Sequence, residues 1–345
     1  MTMNRTLGAS VALLPLLLAT TAFAQDAASC SAYQTPSVEQ LAATDLDAEF
    51  GPVKAPEREL RFAYVTKTLI NEFWQDVAQS AQAEAAKYNI KLDVYAPQDE
   101  ASLSEQLNLA QTVLSQKPDA ILLSPQSDSN LLPVIEAAKA QNIPTIIVQD
   151  SRTAGASVFL GPNELDSGKN AAEFLHKMFP DGGEVAQIEG QAGAPAARDR
   201  IKGFTDTLKN YPNLSLVASQ PGDWDRLTAM NVATDLMRAH PDLKAIYANN
   251  DGMALGVYEA VRNAGKQDQV AVVGTDAIRQ AIKSVEAGEM KATVALLPTT
   301  QGALGIQLAL RVLDCQALPT WVVSPEVLID ADNVDQYVDA APASN

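Results

Sequence analysis

From residue 60 onward, short apolar runs alternate with stretches whose apolar positions recur at helical spacing. The runs at 60–65, 91–96, 120–123 and 145–148 predict four strands, with helices over 71–87, 102–116 and 130–141 between them. Ser102 and Glu105 have the spacing of a capping box, which fixes the start of the second helix. After a run at 158–161 the alternation resumes, with strands at 185–189, 216–219, 245–248, 270–274 and 292–296. Helices over 195–208, 225–240, 252–264 and 277–287 separate these, and a last helix (301–313) and a Val/Ile-rich run (321–329) close the chain. Repeated βα units of this kind predict an α/β fold with parallel sheets, here two doubly wound lobes, and such sheets place ligands at the carboxyl ends of their strands. Residues 25–57 are rich in Ala, Ser, Pro and acidic residues with weak periodicity, and read as an extended or partly ordered tail.

The amino terminus carries a different signal. Arg5 precedes an apolar run over 11–19, and Ala22-Phe23-Ala24 fits the small-x-small rule for signal peptidase, so a mature chain is expected to begin near Gln25 in an exported protein. Asp26 and the Ala27-Ala28-Ser29 sequence speak against a lipid anchor on Cys30. Charge sharpens the picture: 25 basic and 42 acidic residues give −17, and loss of Arg5 with the signal makes this −18. Such an excess repels nucleic acid and anionic lipid. Two cysteines in an exported chain, Cys30 and Cys315, are most economically one disulfide tying the tail to the end of a late helix. His176 and His240 lie in no ligand-spaced cluster, so no metal and no cofactor are expected.

Enzyme signatures are absent: there is no G-x-S-x-G, P-loop, G-x-G-x-x-G or H-E-x-x-H, and residues 161–169 have the wrong glycine spacing for a phosphate loop. What remains is a set of polar and aromatic residues just beyond predicted strands. Lys67, Asn71, Phe73 and Trp74 follow the first strand, and Gln149, Asp150 and Arg152 the fourth. Arg198 opens a helix after strand 185–189, while Trp224, Asn250 and Asp276 follow the next three strands in turn. Opposed Arg and Asp side chains suit hydroxyl groups, which donate and accept, and aromatic faces suit C–H surfaces. Bland readings stand beside these. Phe73 fits a helix core, Trp74 a surface, and Lys67 and Arg152 ordinary solvated charges.

At these residues the chain resembles the ribose-binding branch of the type I periplasmic binding proteins. The resemblance spans roughly residues 58–330 and is densest in GAPAARDR (193–200), ASQPGDWDR (218–226), AHPD (239–242), NNDGMALG (249–256) and VVGTD (272–276). It implies that Arg198, Asn250 and Asp276 bond sugar hydroxyls, that Phe73, Trp74 and Trp224 sandwich the ring, and that Asn71 is a polar contact of the first lobe. It also implies three crossings between lobes, near 161–163, 296–297 and 324–325, with one lobe formed by 58–161 plus 297–323 and the other by 162–296 plus 324–345. Ligand binding would close the lobes, and a permease of the ATP-binding-cassette class would receive the closed form.

Departures from that pattern matter. Gln149-Asp150-Ser151-Arg152 stands where ribose binders carry an Asp-Arg pair, Leu296 replaces a ligand-contacting glutamine, and Lys67 replaces a small polar residue. The expected ligand is therefore a monosaccharide or polyol not restricted to ribose, with Lys67 leaving acidic sugars open. The leading expectation is a monomeric transport receptor. A sensory receptor coupled to a membrane kinase or chemoreceptor is the alternative, an enzyme stands third, and the signal peptide excludes a repressor.

Overall fold

The computed structural model of the protein describes Met1 and residues 30–338, apart from Ser37 and Asp150. The expected cleavage near Ala24, and Asp150 as a site residue, therefore lie outside the described residues. The chain begins with β1 (Gln40–Ala42) and a short helix α1 (Leu46–Phe50). A first series follows: β2 (Leu60–Val65), α2 (Glu72–Lys87), β3 (Ile90–Tyr95), α3 (Leu103–Ser115), β4 (Ala120–Leu123), α4 (Leu132–Ala140), β5 (Thr145–Val148) and β6 (Val158–Gly161). The second series opens with α5 (Glu164–Met178), β7 (Gly183–Glu189), α6 (Pro195–Leu208) and β8 (Leu214–Pro221). It continues through α7 (Arg226–Ala239), β9 (Leu243–Ala248), α8 (Asp251–Asn263), β10 (Ala271–Asp276), α9 (Arg279–Glu286) and β11 (Ala292–Ala295). The end of the chain forms α10 (Pro298–Leu313), β12 (Trp321–Val323) and β13 (Val327–Asp330).

Two sheets result. The first is wholly parallel, in the order β1-β12-β6-β5-β4-β2-β3; the second runs β13-β11-β10-β9-β7-β8, with β13 antiparallel to β11. The chain passes between them after Gly161, after Ala295 and between Val323 and Val327. Strands β2, β4, β5 and β6 are almost entirely buried, because helices cover both faces of the first sheet; their residues are apolar apart from the exposed Arg61 of β2 and the buried Thr145 of β5. Residues of α2 and α10 pack on one face, and those of α3 and α4 on the other. In the second sheet α5 and α6 cover one face, α7 and α8 the other. Parallel register lines up the carboxyl ends: Val65 lies beside Tyr95 and Leu123, and Ile188 beside Ala248 and Gln220.

Four features depart from the sequence reading. Residues 40–50 are ordered as β1 and α1: β1 adds to the edge of β12, Asp47 pairs with the buried Arg311 of α10, and Tyr33 Oη donates to Ile143 O at 2.6 Å. The Ser102–Glu105 capping box does not form. Asp99 Oδ1 instead accepts from Ala101 N and Ser102 Oγ, at 2.8 and 2.9 Å, since a carboxylate is the stronger acceptor. The closing run at 321–329 divides at Pro325 into one strand for each sheet, because proline has no N–H for the ladder. Helix α5 was not expected at all. Both cysteines are disulfide-bonded, as their pairing in an exported chain predicts.

Candidate functional site

Parallel strands deliver their following loops to one edge, and there the two sheets face each other across a cavity. Asn71, Phe73, Trp74 and Glu100 line it from the first sheet; Ala196, Arg200, Trp224, Asn250 and Asp276 line it from the second. Together they surround a narrow gap between the two sheets.

Helix starts place several of these groups. Asn71 caps α2, its Oδ1 accepting from Phe73 N at 3.0 Å, and Asn250 caps α8, its Oδ1 accepting from Met253 N at 2.9 Å. Capping fixes the amide so that its Nδ2 is the end available elsewhere; for Asn71 that end donates to Glu100 Oε1 at 3.2 Å. Trp74 Nε1 donates to the same oxygen at 3.2 Å. Phe73 and Trp74 are both buried and meet edge to face, with ring centroids 5.0 Å apart.

The opposite wall carries four of the ten non-glycine residues with positive φ among the described residues. Asp223 and Trp224 have φ of 53° and 61°, and Asp276 and Ala277 have φ of 123° and 58°. Non-glycine residues adopt such conformations only where the surroundings over-determine them, and they cluster at ligand sites. Gly190 makes room for the indole of Trp224, since a Cβ there would lie 2.1 Å from its ring.

The central cation is Arg200. Its Nε and Nη2 bond both oxygens of Glu164, at 2.6 and 3.1 Å, and its Nη1 bonds Asn249 O at 2.6 Å and Asp276 Oδ1 at 3.4 Å. The guanidinium also stands 5.9 Å from the ring centre of Trp224. Burial pushes the Asp276 carboxyl well up, Arg200 opposes this, and Asp251 adds to it. Asp251 is raised to about 7, chiefly by burial, while Thr293 Oγ1 and Ile278 N donate to it. Glu326, at the third passage between sheets, is raised to about 8 by burial and by Glu164, and accepts from Ser167 Oγ at 2.8 Å.

Six sequence-predicted residues thus meet at the cavity: Asn71, Phe73, Trp74, Trp224, Asn250 and Asp276. Four others do not line it. Arg198 is on the exposed side of α6, paired at 2.7 Å with Asp128 of the loop after β4 and also with Asp199, its side chain 56% exposed; the arginine that meets Asp276 is Arg200. Arg152 stacks on Trp321 with its Cζ 4.2 Å from the ring centre. Lys67 is buried with its ammonium 5.5 Å from the ring centre of Trp74. Gln149 is fully buried, and its amide atoms have no hydrogen-bond partner among the described residues. The sequence reading missed Arg200, Glu100 and Glu164. Among the described residues no cluster of potential metal ligands occurs, and no helix is long and apolar enough to cross a membrane.

Comparison with known proteins fits this geometry. A family described as "Periplasmic binding protein domain" matches residues 62–317. The chain belongs to that family. Among curated relatives of this periplasmic binding protein, the D-allose-binding periplasmic protein of Escherichia coli (strain K12) is 41% identical over 256 residues, covering 72% of this chain and 82% of its own. The ribose import binding protein RbsB of the same organism is 34% identical over 252 residues, covering 73% and 84%. A solved periplasmic solute-binding protein of an ABC transporter from Actinobacillus succinogenes 130z, with bound D-allose, superposes with a TM-score of 0.78. That structure is 30% identical, covering 81% of this chain and 100% of its own.

Proposed function

We propose that this periplasmic binding protein captures a monosaccharide or polyol between its lobes, without chemical change, and delivers it to an ABC-type permease. The observation that carries the reading is the cavity itself. Three aromatic side chains and five hydrogen-bonding ones converge from two sheets on one gap. Stacking groups with paired acceptors and donors match a sugar's C–H faces and hydroxyls. Its relatives bind allose and ribose, which favours transport over a sensory role.

Within this reading the contacts are Asn71, Phe73, Trp74, Glu100, Trp224, Asn250, Asp276 and Arg200, with Asp150 as a further candidate. The working form is a monomer cleaved near Ala24. Its lobes are 58–161 plus 297–323 and 162–296 plus 324–345, moving about the three passages. Native mass spectrometry of protein purified without refolding, followed by a thermal-shift panel of aldoses and polyols, tests it. A ligand at 100 times its Kd adds about 2.7 kcal/mol, so a true ligand raises the midpoint clearly. No shift with any neutral sugar or polyol, or recovery of a chemically altered ligand, would overturn it.

A further inference from the structure

We propose that the cavity selects by charge: it takes a neutral sugar, or one bearing a protonated amine, and rejects sugar acids, with Glu100 setting the preference. This rests on the reading of the cavity as a sugar site. Among the described residues three ionisable side chains line the space: Glu100 from one lobe, Arg200 and Asp276 from the other. A sugar acid needs a cation able to meet its carboxylate, and Arg200 is committed elsewhere. Four of the five N–H donors of a guanidinium are taken, two by Glu164, one by Asn249 O and one by Asp276. Its charge is matched by a buried bidentate partner, so an entering carboxylate would become a further anion beside Glu164.

The other lobe points the same way. Asn71 Nδ2 and Trp74 Nε1, the donors that would otherwise face a ligand oxygen, both bond Glu100 Oε1 and hold that carboxylate at the wall. The aromatic faces of Phe73, Trp74 and Trp224 complete a lining that favours positive over negative charge. Lys67, which the sequence left open as a partner for acidic sugars, is not among the described residues that line the cavity, and its ammonium stands 5.5 Å from the ring centre of Trp74.

The test begins with the wild-type protein and a calorimetric panel of D-allose, D-ribose, D-galactose and myo-inositol. The tightest of these is then compared with its own amino-deoxy and carboxyl derivatives. The amine is expected to bind within tenfold of the neutral parent or more tightly, and the acid at least 100-fold more weakly. In Glu100→Gln the amine-to-neutral affinity ratio should fall at least tenfold and the acid-to-neutral ratio should rise at least tenfold. An acid that binds the wild type within tenfold of its neutral parent overturns the charge selection while leaving the sugar site standing. So do unchanged ratios in a folded Glu100→Gln protein. Failure of every neutral probe removes the sugar site and the selection together.

Discussion

Replacing Arg200 with alanine should separate a residue of the folded core from one that merely decorates the rim. The side chains of Arg200, Glu164 and Asp276 are 5%, 4% and 6% exposed, so the variant would leave two carboxyls buried without their cation. Breaking a buried pair in this way costs about 3–5 kcal/mol, a large part of the roughly 5–15 kcal/mol that holds a typical domain. Arg198→Ala is the control, since Arg198 and its partner Asp128 are both exposed and such pairs are worth about 0.2–1 kcal/mol. The loss in Arg200→Ala should also depend on pH. Asp276 already has its pKa raised by burial, and removing Arg200 raises it further. A carboxyl with a raised folded pKa stabilises most below its unfolded pKa, and that contribution is lost as pH rises toward the folded value. The deficit should therefore widen as pH rises through the folded pKa of Asp276 in the parent, so unfolding is compared at a low and a high pH. Urea unfolding followed by far-UV circular dichroism at both pH values measures it. Arg200→Lys should rescue little, because an ammonium cannot span both oxygens of Glu164 while reaching Asn249 and Asp276. If Arg200→Ala loses no more than Arg198→Ala, or the same at both pH values, the buried network is not what the geometry says it is.

Three further outcomes are expected. Gly190→Ala should displace the Trp224 indole and weaken the best sugar of the panel at least tenfold, with loss of the ligand-induced tryptophan fluorescence change; normal titration would refute the packing. Arg152→Ala and Arg198→Ala should each bind that sugar within threefold of the parent by calorimetry, since neither side chain lines the cavity; a larger loss in either returns that residue to the site. Glu326 has its pKa raised from 4.5 to about 8, so its contribution to stability should fall as pH rises across that window. Glu326→Gln should then flatten the midpoint-against-pH curve between pH 5 and 8, and an unchanged slope would count against it.

Much of the fold was legible because the chain states it locally. Strands β2, β4, β5 and β6 match their predicted runs residue for residue, since strands covered by helices on both faces need mainly apolar sequence, which only the exposed Arg61 and the buried Thr145 interrupt. Asn71 and Asn250 were legible as site residues for a related reason: an asparagine between strand and helix is a cap, and the strand's end puts it at the ligand edge. What was not legible depends on tertiary partners. Strand β1 is three residues with no alternation, and it exists because β12 offers an edge. Glu100 lies in a loop without periodicity, where nothing local separates it from Asp99.

The exchange of Arg198 for Arg200 is different, because the sequence did hold the signal. Two positions apart on a helix are about 200° apart around its axis, so only one of the two arginines faces inward. The buried positions of α6 include Ala196, Ala197, Arg200, Gly203 and Phe204, an apolar stripe at 3.6 spacing with one arginine set into it. Arg198, Asp199 and Lys202 fall outside that stripe. Gly203 fixes the phase, for a Cβ there would meet Leu165 O at 2.0 Å, and α5 can approach only along that line. The inward phase turns Arg200 toward Glu164 at the start of α5, and from there its remaining nitrogen reaches Asn249 and Asp276 at the ends of β9 and β10. A charge on an apolar helical stripe has to be paired within the protein, because water does not reach it. Motif position alone favoured the first arginine after Pro195, whereas helical phase selects the one that the core is able to neutralise.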